Sequence, residues 1–183
     1  MQLGFYFNQT RCTGCYTCTV ACKDWHDIPA GPASWMRVST LERGKYPDVF
    51  VSFFAQPCYH CANPACAEVC PVDAVAKRTE DGIVVVDQER CLGKDVCAAC
   101  RDACPWGVPQ FRAENAKMEK CDLCIERWPE GKKPICVEGC PMYALDAGPL
   151  DEMKTKYGTG KEASGFTWSE KCNPSVVFKP KIK

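Results

Sequence analysis

The sequence predicts an α+β chain of two nested modules, built from short helices, small β-hairpins and long loops. Three observations carry this. Sixteen of the 17 cysteines among 183 residues fall into four sets of one layout. With the thiols set aside, only roughly 37% of the residues are apolar, a lean allowance for a core. One stretch between the second and third sets reads as a β-hairpin.

The first set is Cys12, Cys15, Cys18 and Cys22, in RCTGCYTCTVACKDW, and the second is Cys58, Cys61, Cys66 and Cys70. The third is Cys91, Cys97, Cys100 and Cys104, and the fourth is Cys121, Cys124, Cys136 and Cys140. In each, three residues separate the last two cysteines, one helical turn, which suits a loop running into a short helix. The last three sets end in Cys-Pro, at Pro71, Pro105 and Pro141, where proline removes a backbone donor and fixes φ as the chain turns.

A cubic iron–sulfur cluster has four iron corners, and one tight loop can place thiolates on three of them before the chain leaves. The fourth corner needs a cysteine from elsewhere. In the bacterial ferredoxin run, the cysteine before proline ligates the neighbouring cluster, so that two runs exchange one ligand each. Zinc also uses Cys-x2-Cys pairs, but its ribbons supply ligands two by two and have no use for a third thiol in one loop or a recurring Cys-Pro. A disulfide scaffold is disfavoured by the length of the chain.

Between sets two and three, the β-prone runs from Ala74 to Lys77 and Ile83 to Asp87 flank the turn residues Glu80, Asp81 and Gly82. That connection is ferredoxin-like, so sets two and three are paired, and sets one and four by elimination. The predicted organisation is an outer ferredoxin-like dicluster module, residues 1–30 plus 113–150, split around an inner one, residues 49–112. Residues 31–48 are read as a connecting loop and 151–183 as an extended C-terminal tail, both short of regular-structure signals.

With 23 basic and 23 acidic residues the formal charge is zero, so no global field points to nucleic acid or an anionic membrane surface. No apolar run approaches the ~20 residues that cross a bilayer, and no signal-peptide pattern opens the chain. The expectation is a soluble protein. Nothing resembles a nucleotide-binding glycine fingerprint, a nucleophile elbow or a P-loop, and no catalytic residue is assigned. His60, between Cys58 and Cys61, is read as packing over a cluster or bonding to backbone, and Trp25 with His26 as cover for the first loop. Cys172 is read as a free thiol in a Lys- and Pro-flanked tail. Arg11, Lys23, Arg90, Arg101, Lys120 and Arg127 stand beside ligands and are treated as tuners only collectively.

The four cysteine stretches, including CYHCANPACAEVCPVDAV, CAACRDACPWGVPQF and KCDLCIERWPEGKKPICVEGCPMYALDAG, closely resemble the four-cluster electron-transfer subunit of the dimethyl sulfoxide reductase family of molybdenum and tungsten enzymes. The likeness spans about residues 5–150. It implies four [4Fe-4S] clusters. Cluster 1 would be held by Cys12, Cys15, Cys18 and Cys140, nearest the catalytic subunit, and cluster 2 by Cys121, Cys124, Cys136 and Cys22. Cluster 3 would take Cys58, Cys61, Cys66 and Cys104, and cluster 4, the distal one, Cys91, Cys97, Cys100 and Cys70.

The partners it implies are a large bis-pterin catalytic subunit and a quinone-linked membrane subunit or soluble electron carrier. A free-standing polyferredoxin is the alternative. The resemblance is compatible with a cytoplasmic site or with export beside a partner bearing a twin-arginine signal. One departure is the loop from Leu92 to Val96, five residues where the family pattern has two, which bears on Cys91.

Overall fold

The computed structural model describes residues 1–182. The chain opens on β1, Leu3–Asn8, whose six residues are all buried. Five apolar residues in a row, closed by a buried Asn8, suit a strand covered on both faces, and β1 is the middle strand of the only three-stranded sheet among the described residues. After the first cysteine loop comes α1, Thr17–Trp25, then β2, Arg37–Arg43, and β3, Phe50–Gln56. β2 and β3 pair antiparallel from Arg37 opposite Gln56 to Arg43 opposite Phe50. The segment expected to be a connecting loop therefore contains a strand; its side chains are half-buried or exposed, which hides the alternation that marks a strand in sequence.

The middle of the chain is made of short pieces. α2, Ala65–Glu68, precedes the hairpin of β4, Val75–Lys77, and β5, Val84–Val86. α3, Ala99–Ala103, is followed by the two-residue strands β6, Gln110–Phe111, and β7, Met118–Glu119. A 3-10 helix over Ile125–Glu130 leads to α4, Ile135–Glu138. α1 packs against α4, and α2 against α3.

β8, Leu145–Pro149, returns antiparallel to β1, with Phe5 opposite Ala147, and runs into α5, Leu150–Tyr157. Asp151 and Glu152 in its first turn and Lys154 and Lys156 in its last complement the helix dipole, and Gly158, at φ 86°, ends it. Finally β9, Val176–Lys179, lies parallel to β1, with Phe5 opposite Val176.

The segment from 151, expected as an extended tail, is thus folded onto the sheet over its described residues, 151–182. α5 buries Met153 with Tyr6 and Val177 on one face of the sheet, while β9 supplies Phe178 to the other. Gly4 permits the close approach: a Cβ there would meet the Ser175 carbonyl oxygen at 2.5 Å, and Phe5 N–H donates to that oxygen at 3.0 Å. Among the described residues no helix is long and apolar enough to cross a membrane.

Asp146 ties α5 to the sheet. Its carboxylate accepts from Lys133, from the Tyr157 hydroxyl at 2.6 Å and from Lys156 at 3.2 Å. Burial pushes the carboxyl up, but bonds from Lys133, Tyr157 and the Ala147 N–H outweigh it and hold the group below the ordinary carboxylate range. A depressed folded value means stability that is present above the unfolded value, near pH 4, and is lost as the pH falls through the folded value. Asp146→Asn is expected to cost about 1–3 kcal/mol at neutral pH and to flatten the acid limb of the melt; equal melting temperatures at pH 7 would refute this.

Candidate metal centres

Each cysteine set is positioned by the same local device. Cys18, Cys66, Cys100 and Cys136 stand on α1, α2, α3 and α4, and each set's last cysteine comes one turn later. In the three Cys-Pro sets the chain then makes one repeated turn. The carbonyl of Cys70, Cys104 or Cys140 accepts from the residue three positions on, Asp73, Gly107 or Tyr143. Those residues take the left-handed conformation, at φ 49°, 56° and 49°.

The turn aims the next N–H back at the cysteine sulfur: Ala74 to Cys70 at 3.2 Å, Val108 to Cys104 at 3.5 Å and Ala144 to Cys140 at 3.3 Å. Proline begins the turn without adding a competing donor. Cys22, which lacks the proline, accepts instead from the Met36 N–H.

Two thiol quartets line cavities, each taking three members from one set and one from another. Cys12, Cys15, Cys18 and Cys140 line a cavity walled by Phe7, Val38, Ala55 and Leu145. Cys70, Cys91, Cys97 and Cys100 line a second, walled by Val75 and Met118. Cys91 reaches this cavity despite the longer loop, its sulfur accepting from Gly93 N–H at 3.4 Å.

The remaining thiols raise one another by proximity. Burial first, then Cys124, pushes the Cys22 thiol up to about 12, and Cys136 is raised by burial and then by Cys121, Cys22 and Cys124. Burial and then Cys58 push Cys66 up to about 12, with Cys104 adding to the rise, and Cys61 is raised by burial and then by Cys58 and Cys172.

Buried thiols this close cannot all ionise unless a cation answers them. Sulfur-only donor sets suit zinc, copper(I) or iron–sulfur groups. Among the described residues the one trio of ligand atoms within 4.8 Å of one another is His26, Asp122 and Cys124. No quartet is as tight as that, whereas a single zinc ion with bonds of about 2.3 Å draws its sulfurs to roughly 3.8 Å of each other. The quartets are too open for one ion and fit a larger metal–sulfide core. All 17 cysteines are free of disulfides.

His26 is not over the first loop. Its Nε2 is 3.3 Å from Cys124 Sγ and 3.8 Å from Asp122, and Trp25 bonds to Glu126, so both residues cover the fourth set. His60 is fully buried and its Nδ1 accepts from Val84 N–H at 3.0 Å. Cys172, read as part of an open tail, is only 3% exposed. Its carbonyl accepts from Asn63 N–H at 3.1 Å, which seats it against the second set.

Among the basic residues, Lys120 is buried and bonds to the carbonyls of Val84 and Cys121, and Arg127 is buried against Glu138. Arg11 lies over the Tyr143 ring at 5.8 Å and Arg101 over Phe111 at 5.7 Å, while Lys23 bonds to the carbonyls of Pro29 and Gly31. Sequence adjacency missed three others. Lys77 donates to the Cys61 carbonyl at 2.7 Å, Lys117 to that of Cys91, and Arg37 to that of Trp106 at 3.1 Å.

Residues 49–150 match the 4Fe-4S dicluster domain. Over 98% of its length the chain is 43% identical to the probable anaerobic dimethyl sulfoxide reductase chain YnfG of Escherichia coli K12, covering 89% of that protein. It is 37% identical to the thiosulfate reductase electron transfer subunit PhsB of Salmonella typhi, over 85% of this chain and 80% of that protein. The formate dehydrogenase iron-sulfur subunit of Wolinella succinogenes is 35% identical, over 92% of this chain and 96% of that protein.

Proposed function

Because this protein belongs to the 4Fe-4S dicluster family, among the iron–sulfur subunits of oxidoreductases, we propose that it wires a catalytic partner to an external electron source or sink through four [4Fe-4S] clusters. Such clusters supply one-electron transfer when bound. The chain's own residues supply spacing, insulation and tuning. The observation that carries the reading is that Cys140 lines one cavity with Cys12, Cys15 and Cys18, and Cys70 another with Cys91, Cys97 and Cys100, which supports an exchange of one cysteine between loops that would tie neighbouring sites into one relay.

In this reading Cys12, Cys15, Cys18 and Cys140 hold the first cluster, and Cys121, Cys124, Cys136 and Cys22 the second. Cys58, Cys61, Cys66 and Cys104 hold the third, and Cys91, Cys97, Cys100 and Cys70 the fourth. This makes two nested ferredoxin-like modules, an outer one of residues 1–30 with 113–150 and an inner one of 49–112. The packing of α1 on α4 and of α2 on α3 supports this division.

The partner at one end is a large molybdenum or tungsten pterin subunit, whose own chain carries the substrate chemistry and any export signal. A quinone-linked membrane subunit or a soluble carrier meets the other. Each end offers apolar surface for docking: Tyr16, Val20 and Tyr143 near Cys15 and Cys140, and Val69, Leu92 and Val96 near the fourth site. Anaerobic purification of the tagged chain from its host is expected to bring down one much larger pterin-containing polypeptide in equal amount, with about 16 irons per small chain. A monodisperse small chain that reduces several unrelated acceptors would count for a free carrier instead.

A further inference from the structure

We infer that the Tyr59 hydroxyl donates a hydrogen bond to sulfur at the third site and holds that centre's reduction potential up. The inference rests on the reading that Cys58, Cys61, Cys66 and Cys104 hold a cluster. Tyr59 stands inside the loop that joins two of those thiols, and it is 1% exposed. Its peptide is pinned, since Ser175 N–H donates to the Tyr59 carbonyl and the Ser175 hydroxyl to that of His60, both at 2.9 Å.

The ring is boxed edge-on by Trp106 at 5.2 Å and Phe166 at 5.3 Å, with Phe178 at 6.2 Å. It cannot swing out to water. Yet the hydroxyl has no hydrogen-bond partner in the protein, cysteine sulfurs included. Gln56 and Arg37 are satisfied, both donating to the Trp106 carbonyl at 2.7 and 3.1 Å, whereas His60 Nε2 is, like the phenol, buried without a partner. A buried hydroxyl left unpaired is costly and rare, so an orphan in a well-packed site points to a partner that the polypeptide does not itself provide.

The charges that act on the phenol are those of the Cys58 thiol first, then the Arg37 guanidinium and the thiols of Cys104 and Cys61. Arg37 only donates, so the phenol proton has nowhere to go but toward sulfur. An electron arriving at the site adds negative charge to its sulfurs, so an O–H···S bond strengthens on reduction and favours the reduced form. Lys77, at the Cys61 carbonyl, and Lys120, facing Cys66, act in the same direction. The second quartet contrasts with this, facing the carboxylates of Asp122 and Glu126 beside Arg127.

The test is Tyr59→Phe in the intact complex, examined by electron paramagnetic resonance during a redox titration. The third centre is identified as the signal that Cys66→Ala removes. Tyr59→Phe is expected to move that midpoint alone to lower potential, with iron content and the other signals unchanged. An exchangeable-proton coupling seen on the reduced centre in deuterium-exchanged wild type is expected to vanish with it. Trp106→Phe, which alters the box and spares the hydroxyl, is expected to keep that coupling. An unmoved midpoint in Tyr59→Phe, or loss of the coupling in Trp106→Phe but not in Tyr59→Phe, overturns the inference while leaving the cluster in place. If Cys66→Ala protein retains every wild-type signal, the cluster reading and the inference fall together.

Discussion

Cys140→Ala is expected to abolish the four-iron signal of the site built by Cys12, Cys15 and Cys18, more than a hundred residues away in sequence. The site of Cys121, Cys124 and Cys136 should keep its own signal, although Cys136 is only one helical turn from the substitution. Cys140 lies in the cavity with the first three thiols, and it raises the Cys12 thiol after burial does so. Cys136 does not line that cavity, and its thiol is raised by burial and then by Cys121, Cys22 and Cys124, with Cys18 last.

The reason is helical geometry. Two cysteines four positions apart, one on α4 and one just past its end, look onto two different sites because the chain leaves the helix at Gly139 and Pro141 then turns it away. Loss of a direct ligand should slow electron delivery from a reduced catalytic partner at least about tenfold, since even indirect partners of metal ligands carry effects of that order. The reciprocal change, Cys22→Ala, should strike the fourth set's site and spare the first. Spectra in which Cys140→Ala removes only the signal dependent on Cys121 and Cys124 would refute the exchange of ligands.

What the sequence revealed was what lies within a few residues of a cysteine. The set spacings locate the four short helices, and the turn residues Glu80, Asp81 and Gly82 mark the hairpin of β4 and β5. Contacts made across the whole chain were not visible. β9 is four residues long and finds its meaning only beside β1, about 170 positions earlier, in a parallel pairing that no local turn announces. α5 shows helical capping but little apolar periodicity, since Met153 is its one fully buried residue. His26 seemed to belong to its sequence neighbours, yet α1 carries it past them to Cys124. Cys172 is buried by a contact more than a hundred positions away, where its carbonyl accepts from Asn63 N–H, and nothing local in the sequence marks that contact.

Removing the iron is expected to unfold the chain. Five of the cysteines proposed as ligands, Cys18, Cys22, Cys58, Cys121 and Cys136, are themselves members of the main core, and Cys100 sits in the smaller one with Val75, Val84 and Met118. α2 and α4 are four residues long and α3 is five, far below the ~12 that a helix needs to persist alone. What fixes these helices is the group their cysteines share, so binding energy at the sites is folding energy.

The total stability of a domain this size is about 5–15 kcal/mol, and losing four such sites should exceed it. Chelation after oxidative cluster breakdown, with reductant present to prevent disulfides, should therefore abolish the cooperative melt and most helical ellipticity. The sheet of β8, β1 and β9 with α5 contains no cysteine, and its packing of Tyr6, Met153 and Val177 is free of thiols. Any residual structure should be strand-rich and centred there, detectable as the slowest-exchanging amides of β1. An iron-free chain that keeps native dichroism and melts in one sharp transition would mean that side-chain packing alone sustains the fold, and that the thiols are guests in it.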